Sequence, residues 1–337
     1  MTSDSRKILI FRLSALGDVV LATSYLSALK EKLPANQKIE IHWVVKARYA
    51  PILRGHPSIH RVIAFDDQGS LFSWVQLIRS LVRENYDDWI DLHRSLRTRL
   101  AFAIAQISGV RATFKSVRKE RLKTWAYFTF KGLWPVALRP RPFYRRFAEV
   151  AEKKSRSTPS LPHLTNLPWP AELPKPTREN WAAIVPASRW IGKEWPTDRW
   201  VAWIRRYQVY PVILGLKTDR ACTELVEKLT QQSIPHTAAL GLSSIQSTVA
   251  VLSHAPQIYS VDSGLAHVAE AIGRPVHVLF GPTAPDGGFG PWRENSQVIQ
   301  AKLWCRPCSK DGTACFRVTR RYLCMSLIDQ EKQNGKT

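Results

Sequence analysis

Three stretches of the sequence place charged or small residues directly after an apolar run typical of a buried strand. They are SALGD (14–18), PASRWIGKEWP (186–196) and VDSGLAHVAEAIGRPVHVLFGPTAPDGG (261–288). In open parallel sheets, ligands bind beyond the carboxyl ends of the strands. These three stretches are therefore the candidate functional site of the chain.

The first stretch ends in a lone carboxylate, Asp18, at the predicted start of a helix. Gly17 allows the tight turn in front of it. Asp18 is either the N-cap of that helix or a general base that deprotonates a hydroxyl group, and the local pattern leaves both open. No GxGxxG motif accompanies it, so the motif gives no support for a dinucleotide-binding fold.

The other two stretches favour an anionic ligand. Lys193 is either a phosphate ligand or a solvated loop lysine. Ser263 and Gly264 open a predicted helix, whose free N–H groups form an anion site. His267 lies one turn into that helix, and is either a phosphate contact or a helix-face histidine bonded to backbone. A phosphate-bearing ligand is the occupant that this chemistry predicts.

The charge balance is unusual for a chain of 337 residues. It carries 49 Lys and Arg against 27 Asp and Glu, a formal net charge of +22. Seventeen of the basic residues fall between positions 94 and 156, with three acidic ones. The positive electrostatic potential of this stretch attracts nucleic acid, anionic lipid headgroups or a phosphorylated glycolipid. The alternative is that these arginines are only solvated surface residues. The stretch contains no recognisable nucleic-acid module, so we expect no nucleic-acid partner.

Four of the five cysteines form the pattern C-x2-C-x6-C-x8-C near the end of the chain. The number of thiols fits a four-thiolate metal site, although the second pair lacks the usual C-x2-C spacing. Free or redox-active thiols and disulfides are the other two interpretations, and all three stay open. The residues concerned are Cys305, Cys308, Cys315 and Cys324.

The order of apolar segments predicts two α/β domains. Strand-like and helix-like segments alternate from residue 7 to residue 107 and again from 181 to 281, with helices predicted over 18–32 and 96–107 among others. This alternation indicates parallel sheets covered on both faces. Between residues 111 and 150 we expect helices and a loop around 115–124. The sequence predicts two Rossmann-like doubly wound domains facing across a cleft, with these boundaries: an N-terminal domain (1–165), a Pro-rich linker (166–180), a C-terminal domain (181–325) and a tail (326–337).

The location predicted from the sequence is the cytosol. No apolar run reaches the ~20 residues that a membrane span requires. The N-terminal segment also lacks the pattern of a cleavable signal, because its apolar run soon meets Arg12 and Asp18.

Taken together, the motifs resemble those of the lipopolysaccharide heptosyltransferase family, glycosyltransferase family 9, which has the GT-B fold. The resemblance runs in collinear order over about residues 7–330. This sequence lacks the family's glycine between Pro186 and Ala187, has Glu194 where the family has arginine, and has His93 where it has glutamine. The matching stretches are SALGDVV, DLHRSLR (91–97), PASRWIGKEWP, VILGLKTD (212–219) and DSGLAHVAEAIGRPVHVLFGPTAP.

The resemblance implies an inverting transfer of L-glycero-D-manno-heptose from ADP-heptose to the inner core of lipopolysaccharide. It implies that Asp18 is the general base and that Lys193 stabilises the departing ADP without a metal or cofactor. A structural metal at the four cysteines is a separate expectation. The donor-binding residues implied are Ser188, Asp219, Ser243, Asp262, Ser263, Gly264, Leu265 and His267.

The acceptor implied is a phosphorylated lipid A–core glycolipid, held by Arg97, Arg118, Arg121 and Arg145. The same basic stretch is expected to meet an anionic membrane surface. The expected location is thus the cytoplasm, peripheral on the inner face of the inner membrane of a Gram-negative bacterium. Two alternatives remain within the fold, a different nucleotide sugar as donor and a polypeptide as acceptor.

Overall fold

The computed structural model describes residues 5–34, 37–130, 135 and 138–328, which form two compact units. The first unit contains Met1–Lys119 and Phe143–His163, and the second contains Glu120–Pro142 and Leu164–Thr337. The stretch 120–142 thus packs with the second unit. The domain boundaries predicted above stay a proposal, and the predicted tail lies outside the described residues from 329 onward.

The first unit is built on a parallel sheet in the strand order β3-β2-β1-β4-β5. Its strands are β1 (Arg6–Phe11), β2 (Ile39–Lys46), β3 (Arg61–Phe65), β4 (Asp88–Asp91) and β5 (Thr113–Ser116). Successive residues of β1 and β2 are buried on both faces, as helices covering both sides of a parallel sheet require.

The helices in the first half of the chain follow the alternation predicted from the sequence. They are α1 (Leu16–Ala22), α2 (Ser24–Lys32), α3 (Leu71–Val82), α4 (Leu96–Ile107), α5 (Arg121–Phe130) and α6 (Phe143–Ala151). A 3-10 helix, Ala47–Ile52, follows β2. Helix α5 lies within the stretch that packs with the second unit.

The second unit has a parallel sheet in the order β11-β10-β9-β6-β7-β8. Trp195, Trp200 and Trp203 form part of its core, together with residues of β6, β9 and β10. The strands are β6 (Trp181–Val185), β7 (Tyr210–Gly215), β8 (Thr237–Leu240), β9 (Gln257–Val261), β10 (His277–Phe280) and β11 (Gln297–Gln300). The helices are α7 (Thr197–Tyr207), α8 (Arg220–Gln231), α9 (Ile245–His254), α10 (Gly264–Ala271) and α11 (Leu323–Ser326).

Three local features differ from the sequence prediction. The helix predicted over 18–32 is in fact two helices that meet at Thr23. The Thr23 hydroxyl donates to the carbonyl of Val20 at 2.7 Å and accepts a hydrogen bond from the amide of Ser160 at 3.1 Å. Such local bonding of a threonine hydroxyl competes with a regular helix. Strand β5 falls partly in the stretch predicted as a loop, and β8, β11 and α11 were not predicted.

Among the described residues, no helix is long and apolar enough to span a bilayer.

Candidate functional site

Asp18 lies in the first turn of α1, just beyond the carboxyl end of β1. The N-cap of α1 is Ala15, and Asp18 is the third residue of the helix, whose carboxylate accepts the Ala15 amide at 3.4 Å. Asp18 is therefore not the N-cap, as the capping interpretation had it, but it does take part in the capping box of α1. The Asp18 carboxylate pairs with the Arg12 guanidinium at 2.6 Å, and its side chain keeps 25% of its surface exposed. Arg12 is buried and also donates to the carbonyl of Leu92 at 2.7 Å. A reachable carboxylate is therefore held in one orientation by a buried cation.

Arg12 is a site residue that the sequence analysis missed. A charged residue at the end of a buried apolar strand is rarely buried unless it is paired. Its position directly after ILIF in the sequence was the signal that could have identified it.

His93 follows the carboxyl end of β4 in the same unit. The Asp91 carboxylate accepts the backbone amides of His93 at 2.8 Å and Arg94 at 2.6 Å, which fixes the turn. Burial, together with the positive charge of Arg12, lowers the pKa of His93 to about 4. The imidazole is therefore neutral at physiological pH.

The four arginines predicted for the acceptor are not in one unit. Arg97, in the first turn of α4, is half-buried, with its guanidinium carbon 6.0 Å from the ring centre of Phe65. Arg118 and Arg145 are exposed in the first unit. Arg121 begins α5 and belongs to the second unit.

In the second unit, three side chains converge beyond the carboxyl ends of β6, β9 and β10. The ammonium group of Lys193 lies 2.8 Å from Oδ2 of Asp262, and the Thr283 hydroxyl donates to the same oxygen at 2.8 Å. The hydroxyl of Ser188 donates to the backbone carbonyl of Asp262 at 3.1 Å. The structure thus joins the predicted residues Ser188, Lys193 and Asp262, and adds Thr283, which lies in the third predicted stretch but was not named as a site residue.

Helix α10 begins directly after this cluster, at Gly264. The side chain of its N-cap residue, Ser263, makes no hydrogen bond to the helix amides and is 3.0 Å from the hydroxyl of Ser260. An uncapped helix start presents N–H groups and a positive partial charge to an anion. Gly264 and Leu265 are therefore placed where a diphosphate would be favoured.

His267 is buried one turn further along α10. Its ring stacks on Trp292, with ring centres 6.0 Å apart and planes at 17°. Behind it, the buried carboxylate of Glu270 accepts the amides of Trp292 and Arg293 at 3.0 and 2.9 Å, and the hydroxyl of Ser296 at 2.9 Å. Burial raises the pKa of Glu270 to about 7, against the effect of these hydrogen bonds. Glu270 thus holds the loop that packs on His267.

Two predicted nucleotide-binding residues lie after the neighbouring strands β7 and β8. The Asp219 carboxylate accepts the amide of Leu216 at 2.8 Å, and Ser243 donates its hydroxyl to Glu172 at 2.7 Å. Both follow the carboxyl ends of strands of the sheet that carries Asp262. Asp219 thus contacts its own loop and Ser243 contacts a glutamate 71 positions away, so their part in ligand binding stays a prediction.

The four clustered cysteines are free thiols in the structure. Cys305 and Cys324 are buried, and burial raises the pKa of Cys324 to about 11. The Cys308 thiol donates to the carbonyl of Cys305 at 3.2 Å, and Cys315 accepts the amide of Tyr322 at 3.3 Å. Within the described part of the chain, no three His, Cys, Asp or Glu side chains are arranged to hold a metal ion.

Two doubly wound parallel-sheet α/β units are the architecture of the GT-B fold, which is typical of glycosyltransferases. The chain belongs to glycosyltransferase family 9 (heptosyltransferase), whose sequence profile it matches over residues 74–316. Its fold and enzyme class agree with the prediction from the motifs.

Among known proteins, lipopolysaccharide heptosyltransferase 1 of Escherichia coli K12 is 24% identical over 317 residues, covering 88% of this chain and 93% of that protein. The solved structure of E. coli heptosyltransferase WaaC with ADP superposes with a TM-score of 0.64 at 21% identity, covering 87% of this chain and 92% of that one. The solved structure of the iron-containing dodecameric glycosyltransferase TibC of enterotoxigenic E. coli superposes with a TM-score of 0.57 at 15% identity, covering 98% of this chain and 75% of that one. The two structural likenesses concern the fold.

Proposed function

We propose that this protein transfers L-glycero-D-manno-heptose from ADP-heptose to a hydroxyl group of the lipopolysaccharide inner core, with inversion at the anomeric carbon. The observation that carries the proposal is the Lys193–Asp262–Thr283 cluster beside the start of α10. A cation and uncapped helix amides suit a diphosphate, and a neighbouring carboxylate suits sugar hydroxyls. Membership of the heptosyltransferase family supports the sugar class.

In the proposed reaction, an acceptor oxygen attacks the anomeric carbon from the face opposite the diphosphate. The new C–O bond forms as the bond from the anomeric carbon to the phosphate oxygen breaks, and that electron pair leaves with ADP. Asp18 accepts the acceptor proton, as a general base does. Arg12 holds the carboxylate in place, so that positioning supplies part of the rate.

Negative charge grows on ADP as the bond breaks. Lys193 and the α10 amides at Ser263, Gly264 and Leu265 stabilise this charge. In the same proposal, Asp262 accepts hydrogen bonds from heptose hydroxyls and His267 contacts phosphate. The nucleotide is assigned to Ser188, Asp219 and Ser243.

A structural metal at the four cysteines is a separate matter. The described residues offer no three-ligand arrangement for an ion, and the iron named for TibC is a property of that protein. The metal at these thiols therefore stays a prediction from their spacing. Elemental analysis of the purified protein tests the prediction made from their spacing.

The proposed acceptor is a phosphorylated lipid A–core glycolipid, and the proposed location is the cytoplasmic face of the inner membrane of a Gram-negative bacterium. The basic stretch between positions 94 and 156 supports both proposals, because its positive charge attracts core phosphates and anionic headgroups alike. We assign acceptor binding to Arg97, Arg118, Arg121 and Arg145, three of which are exposed.

A related transferase with another nucleotide sugar, or with a polypeptide acceptor, is the second candidate. It is favoured by Glu194 and His93, which replace residues of the family pattern in two of the stretches that match the family. The Glu194 carboxylate accepts a hydrogen bond from the amide of Ser188 at 3.4 Å, and burial raises the pKa of Glu194. The donor pocket therefore differs chemically from the family pattern near Ser188.

The proposal is tested by incubating the protein with ADP-heptose and defined truncated cores and detecting the products by mass spectrometry. Asp18→Asn should lower turnover at least ~10²-fold, because it removes the base and keeps the shape, and should leave ADP binding unchanged. Lys193→Ala should weaken ADP binding and slow single-turnover transfer together.

Two exposed residues provide matched controls. Asp87→Asn changes a carboxylate at the amino end of β4, and Lys175→Ala removes an exposed lysine of the second unit. Both should leave transfer unchanged. An Asp18→Asn variant that keeps more than about a tenth of turnover would refute the base assignment. Transfer only from another nucleotide sugar, or only to a polypeptide, would establish the second candidate.

A further inference from the structure

The C-terminal region that carries the four cysteines is part of the second unit's core. We call residues 301–328 the cysteine segment. Its Cys324, Met325 and Ile328 are buried in the same hydrophobic cluster as Leu279 of β10 and Ile299 of β11. The segment is therefore packed against the strands whose ends form the candidate donor site.

Arg306 of this segment binds the carboxyl ends of two adjacent strands. Its guanidinium donates to the carbonyls of Gly281 at 2.5 Å and Thr283 at 3.0 Å, just beyond β10. It also donates to the carbonyl of Ala301 at 2.5 Å and to the side chain of Gln300 at 2.9 Å, at the end of β11. Carbonyls beyond a strand end have lost their ladder partners, and the planar guanidinium satisfies several of them at once.

The residue between Gly281 and Thr283 is also held by the cysteine segment. The amide of Cys308 donates to the carbonyl of Pro282 at 2.7 Å. Each of the three consecutive carbonyls of the Gly281–Thr283 rim thus accepts a hydrogen bond from the segment. The hydroxyl of Thr283 in turn donates to Asp262, which pairs with Lys193. A chain of hydrogen bonds leads from Arg306 to the proposed donor contacts.

A second set of contacts joins the cysteine segment to the Lys193 loop. A Cβ on Gly312 would lie 2.7 Å from Cγ of Lys193, and one on Gly192 would lie 2.4 Å from the ring of Tyr322. Both distances are too short for a real side chain. The segment therefore lies in direct contact with the stem of Lys193, independently of Arg306.

We propose that Arg306 is a positioning residue for the donor site, and that the cysteine segment is a fixed wall of that site. This inference rests on the proposed function for the identity of the ligand. Arg306 contacts the rim and not the substrate in this scheme. It holds Thr283, and through it Asp262 and Lys193, in the geometry that a diphosphate sugar requires, because electrostatic stabilisation works only when the groups are already in place.

The test is Arg306→Gln, which keeps a polar side chain and loses the charged fork. We expect the dissociation constant for ADP and the KM for ADP-heptose to rise about tenfold or more, because displaced positioning groups have effects up to ~10²-fold. The KM for the acceptor should not change. Arg306→Lys keeps the charge without the fork and should fall between wild type and Arg306→Gln.

Arg320→Gln is the matched control, since Arg320 is an exposed arginine of the same segment. It should bind ADP like wild type. ADP affinity is measured by calorimetry, with circular dichroism to establish folding, and Arg306→Lys decides the question if the Gln variant does not fold. A folded Arg306 variant with wild-type ADP affinity would overturn the inference alone. A wild-type protein that binds no ADP would overturn the proposed function and this inference together.

Discussion

Single charged side chains that are buried near the site stretches are held by partners distant in the sequence. Arg12 binds Asp18 and the carbonyl of Leu92, and Glu270 binds the backbone of a loop more than twenty positions away. Buried charges need such partners because an unpaired one is strongly unfavourable. Glu270 is the clearest case, because it is 1% exposed and its carboxylate accepts hydrogen bonds from three donors.

The titration of Glu270 should make stability depend on pH. Its pKa is raised from 4.5 to about 7 in the folded state, so the fold favours the protonated form. The stabilising contribution is therefore complete below about pH 4.5 and is lost as pH rises through about 7. Glu270→Gln mimics the protonated group and does not ionise. Between pH 4.5 and 8, the free energy of unfolding of wild type should therefore fall by roughly 2–3 kcal/mol relative to that of Glu270→Gln.

Urea unfolding at several pH values between 4.5 and 8 measures this difference. Glu227→Gln removes an exposed glutamate on α8 and serves as the control for the change in net charge. A constant difference in unfolding free energy between Glu270→Gln and wild type over this range would contradict the assignment.

At the scale of elements, helix α5 has an unusual surface. Its Leu122 and Trp125 are 82% and 62% exposed, while Ala126 and Tyr127 are buried. Arg121 and Lys123, both exposed, flank the apolar residues. Exposed Leu and Trp with adjacent basic residues are typical of a helix that lies in the interface of an anionic bilayer.

We therefore predict that Leu122→Ala combined with Trp125→Ala weakens binding to vesicles containing phosphatidylglycerol by about tenfold or more, since each buried CH₂ contributes ~0.8 kcal/mol. Sedimentation with vesicles measures the binding. Trp304→Ala removes another exposed tryptophan, 73% exposed, and should bind like wild type. Equal binding of the double variant and wild type would exclude α5 as the contact surface.

Local pattern predicted the long elements well and the short ones poorly. Helix α4 was predicted at its observed bounds, Leu96–Ile107, and the Ser95 side chain accepts the amide of Thr98 as a cap. Strands β8 and β11 have four residues each and were missed. So short a strand is stabilised mainly by its neighbour in the sheet, which periodicity along the chain does not encode.

The site residues follow the same division. Asp18, Lys193 and Asp262 were predicted as site residues because each lies in one of the three stretches that follow an apolar run. Arg12 and Arg306 were missed because their roles depend on distant partners. Arg12 donates to the carbonyl of Leu92, 80 positions away, and Arg306 donates to carbonyls just beyond the separate strand β10. Only the fold brings such pairs together.

At the scale of the whole molecule, the net charge of +22 should distinguish the two substrates. Exposed charges are screened over ~8–10 Å at 0.1–0.15 M salt. A diphosphate near Lys193 and Asp262, both largely buried, is screened less. Added salt should therefore raise the KM for the phosphorylated glycolipid more than the KM for ADP-heptose.

Arg118→Gln combined with Arg121→Gln should have the same effect as added salt, raising the KM for the glycolipid several-fold because long-range attraction of its phosphates is lost. The KM for ADP-heptose should not change. The control is Arg205→Gln combined with Arg206→Gln, which removes equal charge from two exposed positions on α7. Both Michaelis constants are measured at low and moderate salt for the three proteins. If donor and acceptor were equally sensitive to salt, or the two double variants behaved alike, the excess charge would be a general surface property and not an acceptor site.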